Sequence, residues 1–511
     1  MRFTDIRDHE LPTGRLTVWV ASAETLRRAE SAEADPRRPS YNQHGHIAHA
    51  MARRVDPDLR DIVPEPTGEA GKAAPTGWLG VRFDVPPIGA HGLRRAFEAW
   101  VRRHETLRSG FRATSTVTGA FERFTVPPAD VALEEVDLGV YTDPAAMADR
   151  LDDYFNSSTD AVCWPAYAFA TIWSAKSTTV ILAFDHLNVD GYSILLTVAE
   201  VRELVDADRE GRPSLLPEVP SYLDFVQDEL ETAEAATADH EAVDQWRTFL
   251  RNGPTMPRFP LPDGLAPGSQ VPQEAICTTI ISEHEAKIFG AWCRSLGISA
   301  GTGFLAAMAL AFTRLGTEAG VDDVVVDPSR PDLVGFRALV STHTRHEACW
   351  SDVMGWFTAI APFEVALPAG RDLPEVLPIV AEAWDDAKRG TALPLTRIGE
   401  LLDVNLEHRF VMSYLDARHA SGADRWAAWN SQAFIGDVGP TDQVYVWINR
   451  VPTETYLTWR YPGNDVCRSQ VAAVTESMGR IIREICVAAQ VAEAARVAAA
   501  QPTTSIEEVA S

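Results

Sequence analysis

The chain has 511 residues, of which 46 are Lys or Arg and 72 are Asp or Glu, so its formal net charge is −26. Nucleic acid is therefore not expected as a partner, because binding a phosphate backbone requires a basic face. Hydrophobic residues make up 46% and charged residues 23% of the chain, which is typical of a globular protein and not of a disordered or fibrous one. At roughly 100–200 residues per domain, this length predicts two or three packing units.

The first part of the chain mixes predicted strands and helices. Residues 16–21 and 121–126 are typical of strands, and between them Leu93 to Leu107 carries apolar residues at helical spacing. Residues 178–184, TTVILAF, are continuously apolar, which predicts a strand buried on both faces. The polar turn DHLNVDG follows, and helical spacing resumes from residue 194 to 205. The order strand, turn, helix places this turn at an end of the predicted core.

The remainder of the chain continues in the same rhythm. A charged, Pro-containing stretch at 209–220 predicts a crossing between two lobes. Residues 252–272 predict a loop within the later lobe. The patterns then predict a nearly all-apolar helix at 297–315, a long terminal helix at 468–500, and strands at 275–281, 323–326, 355–365, 408–415, 444–449 and 455–460. We therefore predict an α/β protein with an N-terminal lobe at 1–215, a C-terminal lobe at 216–500 and a disordered tail at 501–511.

No apolar run reaches the roughly 18 residues that a membrane-spanning helix needs. The first residues, MRFTDIRDHELPTG, also lack the basic, apolar and small-residue segments of a signal peptide. We expect no membrane span and a cytoplasmic location.

The turn after the buried strand carries the strongest candidate chemistry. Because side chains alternate along a strand, Asp185 and His186 are predicted to point to opposite sides. A neutral imidazole at the end of an apolar wall can act as a general base near pH 7. Asp190 is predicted to hold the turn by pairing with a cation, and Gly191 to allow a backbone conformation that other residues resist. From these residues alone, a purely structural role for His186 is equally open.

The DHLNVDG turn resembles the HHxxxDG motif of the condensation-domain superfamily, which includes nonribosomal peptide synthetase condensation domains and polyketide-associated acyltransferases. RHETLRSGF at 103–111 and GWFTAIAP at 355–362 are similar to the family's RHExLRTxF and GxFxNxxP segments. The opening LPTGRLTVW and the PSYNQHGHI around Gln43 are most similar to the free-standing polyketide-associated acyltransferases. The resemblance extends from about residue 11 to residue 489.

This resemblance implies two chloramphenicol-acetyltransferase-like lobes that form a V-shaped pseudo-dimer with a central tunnel. It implies transfer of an acyl group from a carrier-protein or coenzyme A thioester to an alcohol or amine, giving an ester or amide in natural-product or lipid biosynthesis. His186 would act as general base or positioning residue, with backbone N–H groups near Gly191 stabilising the oxyanion. Asp190 would pair with Arg345, or, as a second choice, with Arg330.

The same resemblance implies neither a metal nor a resident cofactor. Phosphopantetheine would enter only as part of an acyl or peptidyl carrier protein or of acyl-CoA. The protein is expected to be a monomer. Because carrier proteins are usually acidic, we predict a basic docking patch, with Arg27, Arg28, Arg37 and Arg38 as candidate contributors against the alternative of a solvated loop.

Asp185 stands where most of the family has its first histidine, and this departure leaves two alternatives. Residues 185–193 also match DxxxxDxxS, the signature of heterocyclisation domains, although those domains generally lack the histidine present here. The other alternative is a non-catalytic scaffold that recruits a synthetase partner.

A separate histidine cluster, His44, His46 and His49, has HxHxxH spacing. A metal site there would need further acidic or cysteine ligands, and a helix start or surface cluster is the favoured interpretation.

Overall fold

The computed structural model describes residues 1–55, 76–115, 120–174, 177–252, 256–319 and 332–500. The predicted strand at 323–326, the predicted tail at 501–511 and Arg330 lie outside these residues. The helices, in chain order, are α1 Ala23–Ser31, α2 Tyr41–Val55, α3 Ala90–Arg103, α4 Glu105–Arg108, α5 Pro144–Ser158, α6 Gly191–Glu210, α7 Tyr222–Ala235, α8 Glu241–Asn252, α9 Glu283–Ser295, α10 Ala300–Ala319, α11 Leu373–Arg389, α12 Leu395–Leu402 and α13 Asp465–Ala500.

The strands are β1 Phe3–Thr4, β2 Gly14–Ala21, β3 Ala34–Asp35, β4 Leu79–Val85, β5 Ser109–Ser115, β6 Ala120–Thr125, β7 Leu133–Tyr141, β8 Tyr167–Trp173, β9 Thr178–Phe184, β10 Val271–Ser282, β11 Leu333–His343, β12 Thr358–Pro368, β13 Phe410–Asp416, β14 Gln432–Ile435, β15 Pro440–Thr441, β16 Val444–Val451 and β17 Glu454–Pro462. Helices and strands alternate along both halves, so the predicted α/β class is confirmed.

The first sheet, within the described residues, has seven strands in the order β1-β14-β4-β9-β8-β2-β7. β9 lies at its centre and pairs antiparallel with β4 on one side and with β8 on the other. Every residue of β9 is buried, as its continuous apolar run predicts. α3 and α6 pack on one face of this sheet and α5 packs on the other. The carboxyl end of β9 therefore emerges from the middle of a packed core.

The second sheet has the order β12-β11-β13-β16-β17-β10-β15 in the part of the chain that the structure describes. β11, β13 and β16 are parallel neighbours, so their carboxyl ends meet at one edge. The apolar helix α10 packs on one face of the sheet with α9, α11 and α13, while α8 and α12 cover the other face. A small third sheet joins β3, β6 and β5.

One strand of the second half belongs to the first sheet. β14 lies between β1 and β4, pairing antiparallel with β4 and parallel with β1. Trp426, just before it, is 2% exposed and packs in the core of the first half. The lobe boundary at 215/216 stays a prediction, but the first sheet is completed by residues from beyond it.

The predicted helix over Leu93–Leu107 is two helices. α3 ends at Arg103 because His104 takes an extended backbone, with φ of −100° and ψ of 108°, before α4 begins. Nε2 of the buried His104 lies 2.6 Å from Oε2 of Glu200 on α6. The spacing of apolar residues could not predict this polar contact. Local patterns also did not predict β4, β8 or β11.

No single helix among the described residues is long and apolar enough to cross a membrane. Residues Glu283–Ser295 and Ala300–Thr317 meet the length and hydropathy requirement only as a pair bent by 101°.

Candidate active site

The motif turn joins the centre of the first sheet to α6. Residues 185–190 follow β9, and the Asp185 N–H donates to the Ala166 carbonyl at 3.0 Å. Asp190 caps α6, because its Oδ1 accepts the Ser193 N–H at 2.7 Å. A carboxylate is favourable at this position since it satisfies a free helix N–H and faces the positive end of the helix dipole. The strand, turn and helix occur in the predicted order.

His186 presents one ring nitrogen for chemistry. Its Nδ1 is buried without a hydrogen-bond partner on any other described residue. No described residue bonds to Nε2, and the residue is partly exposed. The ring lies against Trp356, with centroids 4.1 Å apart. Burial, followed by the neighbouring His46, lowers the pKa of His186, so the imidazole is neutral at pH 7 and can accept a proton.

Asp185 has its own hydrogen-bond partners. Its Oδ1 lies 2.8 Å from Nε2 of His46 on α2 and accepts the Leu187 N–H at 2.7 Å. The residue is only 2% exposed. The two side chains make different contacts, Asp185 with His46 and His186 with Trp356, and their divergence stays a prediction. Asp185 therefore fastens the turn to α2, while His46 also packs edge-on against Trp356 with centroids 5.6 Å apart.

Asp190 and Arg345 form a buried ion pair that joins the two halves of the chain. One guanidinium nitrogen lies 2.5 Å from Asp190 Oδ2 and another lies 3.2 Å from Oδ1. Burial alone would raise the pKa of Asp190, but Arg345 and Ser193 hold it below its ordinary value, so the carboxylate stays ionised. The Phe357 N–H also donates to Oδ2 at 3.2 Å. Breaking such a pair leaves an uncompensated buried charge, which is strongly destabilising.

The segment around Gly355 closes on this pair. Ser193 Oγ lies 2.8 Å from Asp190 Oδ1 and 3.0 Å from the Gly355 carbonyl oxygen. A side chain at Gly355 would overlap the ring of Tyr222 on α7, so only glycine allows this close approach. The network therefore sets the position of Trp356, which follows Gly355 and contacts His186.

Two further segments support the turn from the first half. Gln43 on α2 donates to the Leu187 carbonyl at 2.9 Å, and Thr106 of the RHETLRSGF segment donates to Asn188 at 3.1 Å. Arg103 of the same segment pairs with Glu200 on α6 at 3.0 Å. These contacts give the motif-like segments a common physical role, because each one restrains residues 187–200.

One expectation about the site is wrong. Gly191 does not have a left-handed backbone, and a Cβ there would meet no atom within 4 Å, so no conformational demand requires glycine.

The four arginines suggested for a docking patch each lie in an ion pair. Arg27 and Arg28 share the single carboxylate of Glu24. The docking patch stays a prediction.

His44 and His46 of the histidine cluster have different neighbours. No group of three His, Cys, Asp or Glu side chains among the described residues is arranged to hold a metal ion. His44 packs on Phe121 at 5.3 Å, whereas His46 reaches Asp185.

Sequence reasoning missed two residues of the site. It gave Trp356, as part of the GWFTAIAP segment, no role of its own, whereas its side chain is partly exposed against His186. It treated His46 only as one of three spaced histidines. The position of Trp356 directly after Gly355 in the GWFTAIAP segment was the available signal for the first. The available signal for the second was the place of His46 in the family-like segment PSYNQHGHI.

The sequence matches the condensation-domain family over residues 86–418. It is 26% identical over 493 residues to trehalose-2-sulfate acyltransferase PapA2 of Mycobacterium tuberculosis, covering 94% of this chain and 96% of that protein. It is 24% identical over 486 residues to acyltransferase PapA3 of the same organism, covering 93% of this chain and 94% of that protein.

Solved structures show the same fold. PapA2 acyl transferase superposes with a TM-score of 0.78 at 23% identity, covering 95% of this chain and 100% of that one. The first condensation domain of the calcium-dependent antibiotic synthetase, in complex with a substrate analogue, gives a TM-score of 0.62 at 16% identity, with coverages of 87% and 96%.

The chain therefore belongs to the condensation-domain family. Within that family it is a condensation-type acyltransferase, similar over most of its length to the free-standing enzymes PapA2 and PapA3.

Proposed function

We propose that this protein transfers an acyl group from a thioester, carried by coenzyme A or a carrier protein, to a hydroxyl group, with His186 as the general base. The observation that carries the proposal is the neutral, partly exposed imidazole of His186, whose Nε2 forms no hydrogen bond within the described chain. Its ring is held against Trp356, so the proton acceptor is oriented before substrate arrives.

The proposed step balances without a cofactor. The acceptor hydroxyl gives its proton to His186 Nε2 while its oxygen attacks the thioester carbonyl carbon. The carbonyl oxygen becomes an oxyanion, and the backbone N–H groups of Gly191 and Tyr192, which precede the capped Ser193 N–H in the first turn of α6, are the proposed donors to it. Collapse of the intermediate breaks the carbon–sulfur bond. The leaving sulfur takes the proton back from the imidazolium, which releases ester and thiol.

The acceptor class rests on the relatives. PapA2 is named for acylation of trehalose 2-sulfate, so a sugar hydroxyl is the acceptor we propose here. An amine acceptor would follow the same proton path and give an amide. Asp190, Arg345 and Asp185 act in this scheme by holding the turn, because each is already bonded to protein groups.

The test is the substitution His186→Ala in the full-length protein, with product followed by mass spectrometry using palmitoyl-CoA and trehalose 2-sulfate. General-base catalysis predicts a fall in kcat/KM of about 10²–10⁴-fold, with the thermal melting temperature retained. His91→Ala, an exposed histidine on α3, is the matched control and keeps full activity. Unchanged turnover in folded His186→Ala protein would remove this residue from the mechanism.

Product mass in the same assay separates acyl transfer from heterocyclisation, because ring formation loses a second water. The Ser193 hydroxyl of the DxxxxDxxS pattern is fully buried beside Asp190, which favours acyl transfer as the proposal.

A further inference from the structure

A cavity of about 800 Å³ lies in the second half of the chain, separate from the residues that hold His186. Its wall includes the carboxyl ends of the parallel strands β11, β13 and β16. The first turn of α10 and the end of α9 complete it. In sheets of this kind, ligands bind beyond the carboxyl ends of the strands. We call this cavity the anion pocket, for the charges described next.

The anion pocket concentrates positive charge in a strongly acidic protein. Arg294, Arg418 and Arg450 line it, and Asp416 is the one carboxylate among its described lining residues. Arg418 pairs with Asp416 at 2.6 Å. Neither of the other two arginines forms an ion pair with a carboxylate in the described ranges. The lining therefore has an excess of guanidinium groups, although the whole chain carries a net charge of −26.

Arg450 makes the pocket more than a surface patch. It is 3% exposed, and its Nε has no hydrogen-bond partner among the described residues. One terminal nitrogen donates to the Ala286 carbonyl at 3.1 Å, which supplies no negative charge. Asp416 and Tyr414 of the neighbouring strand β13 also face Arg450, but Asp416 is already paired with Arg418. One carboxylate therefore serves two guanidinium groups, and because a buried charge is costly unless it is paired, a negatively charged ligand would supply further counter-charge.

The start of α10 adds a second source of attraction for anions. Ser299 caps this 20-residue helix by accepting the Thr302 N–H at 3.0 Å. Gly301 lets the first turn lie directly on Tyr414 of β13, since a Cβ there would come within 2.9 Å of the ring. The positive end of the helix therefore faces the same cavity as the arginines, an arrangement that binds phosphate and sulfate groups in many proteins.

A smaller cavity of about 400 Å³ has the opposite character. It is lined by Asp228, Glu229 and Glu347, and neither Lys nor Arg occurs among its described lining residues. The two cavities are lined by adjoining residues of one segment: His343 borders the anion pocket, and Thr344 borders the acidic one. Arg345, the partner of Asp190, follows directly. An anionic group would thus be directed to one side of this segment.

We propose that the anion pocket binds a phosphate or sulfate monoester belonging to one of the two substrates, an inference that rests on the proposed acyl transfer. The phosphate would come from the coenzyme A donor, and the sulfate from a sulfated sugar acceptor. The chemistry shared by both sources is a tetrahedral oxyanion with charge and acceptor oxygens that fit guanidinium groups.

The test compares each substrate with and without its monoester by isothermal titration calorimetry on the full-length protein. The pairs are coenzyme A against dephospho-coenzyme A, which lacks only the 3′-phosphate monoester, and trehalose 2-sulfate against trehalose. The charged probe is the member of each pair that carries the monoester, and we expect one charged probe to bind at least about tenfold more tightly than its counterpart. The pair that shows the difference identifies the source of the anion.

Two variants assign that difference to the pocket. Arg450→Gln and Arg294→Gln are each expected to remove most of the difference in affinity between the two probes. Arg450 is buried, so its variant could lower the melting temperature; Arg294 is exposed, and its variant tests the pocket without that effect. Arg251→Gln, an exposed arginine on α8 outside the pocket, is the matched control and leaves binding unchanged. The proposal is overturned if no charged probe is preferred, if both pocket variants keep the preference, or if the control loses it equally.

The same titrations separate this inference from the proposed function. His186→Ala protein is expected to lose turnover and to keep the preference for the charged probe. A wild-type protein that bound the charged probe without transferring acyl groups would contradict the proposed function but not the proposal that the anion pocket binds the charged group.

Discussion

At the scale of single residues, the site is defined by which nitrogen and oxygen atoms are already bonded. Asp185 is bonded to His46 and to the backbone of its own turn, so the carboxylate in place of a first histidine serves as an anchor. Asp190 is likewise saturated by Arg345, Ser193 and Phe357. His186 differs from both, because its Nε2 has no bond within the described chain, and this is why we propose it as the group that meets substrate.

The pH dependence follows from the direction of the His186 pKa shift. Burial lowers this pKa below its ordinary value of 6.5, and only the neutral imidazole can accept the acceptor's proton. We expect kcat/KM to be constant near neutral pH and to fall about tenfold per pH unit below an acidic midpoint that lies under 6.5. A pH–rate profile on the wild-type enzyme measures this midpoint. A midpoint above 6.5, or no acidic limb, would contradict the assignment.

At the scale of elements, the site depends on three segments meeting at one turn. α2 reaches it through Gln43 and His46, α6 begins at it, and the segment before β12 brings Trp356 against His186. None of these segments could hold the imidazole alone. Gly355 packs closely against Tyr222, because the Tyr222 ring occupies the space that a side chain at position 355 would need.

Two glycine substitutions test this packing. Gly355→Ala is expected to lower the free energy of unfolding by about 1–3 kcal/mol, because the added methyl overlaps the Tyr222 ring. Gly191→Ala is the matched comparison: it is the first residue of α6, its Cβ meets open space, and stability should be kept. Chemical denaturation measures both. Equal losses in the two variants would show that the contact with Tyr222 is not the cause.

At the scale of the whole molecule, the two halves share a sheet. β14 lies between β1 and β4, and Trp426 fills part of the first core. The buried ion pair of Asp190 with Arg345 ties the same halves at the site. The arrangement therefore couples the integrity of the site to the completeness of the first sheet.

Expression of the predicted lobes as separate chains tests this coupling. Residues 1–215 alone lack β14 and Trp426, so β1 loses its partner strand, β4 is left as an open edge, and core residues that pack with Trp426 are exposed to water. We expect no cooperative unfolding transition for this fragment by near-UV circular dichroism. Co-expression with residues 216–511 should restore one. A fragment 1–215 that unfolds cooperatively by itself would mean that β14 is dispensable.

Local patterns were sufficient where one element buries its own residues. The apolar run at 178–184 predicted β9 and its burial, and helical spacing from Ile194 predicted α6, because burial on a strand or helix leaves a period in the sequence. The family resemblance then supplied the order of motifs and the pairing of Asp190 with Arg345. The α/β class was accessible at this level, and His186 as the base stays a prediction.

Tertiary structure decided what depends on residues far apart in the chain. The contact of His46 with Asp185 joins positions 139 residues apart, and β14 enters a sheet formed otherwise from the first half. The three arginines of the anion pocket come from α9, from β16 and from the residues after β13. No local period records such meetings, because they arise only when separate elements pack and their side chains share one space.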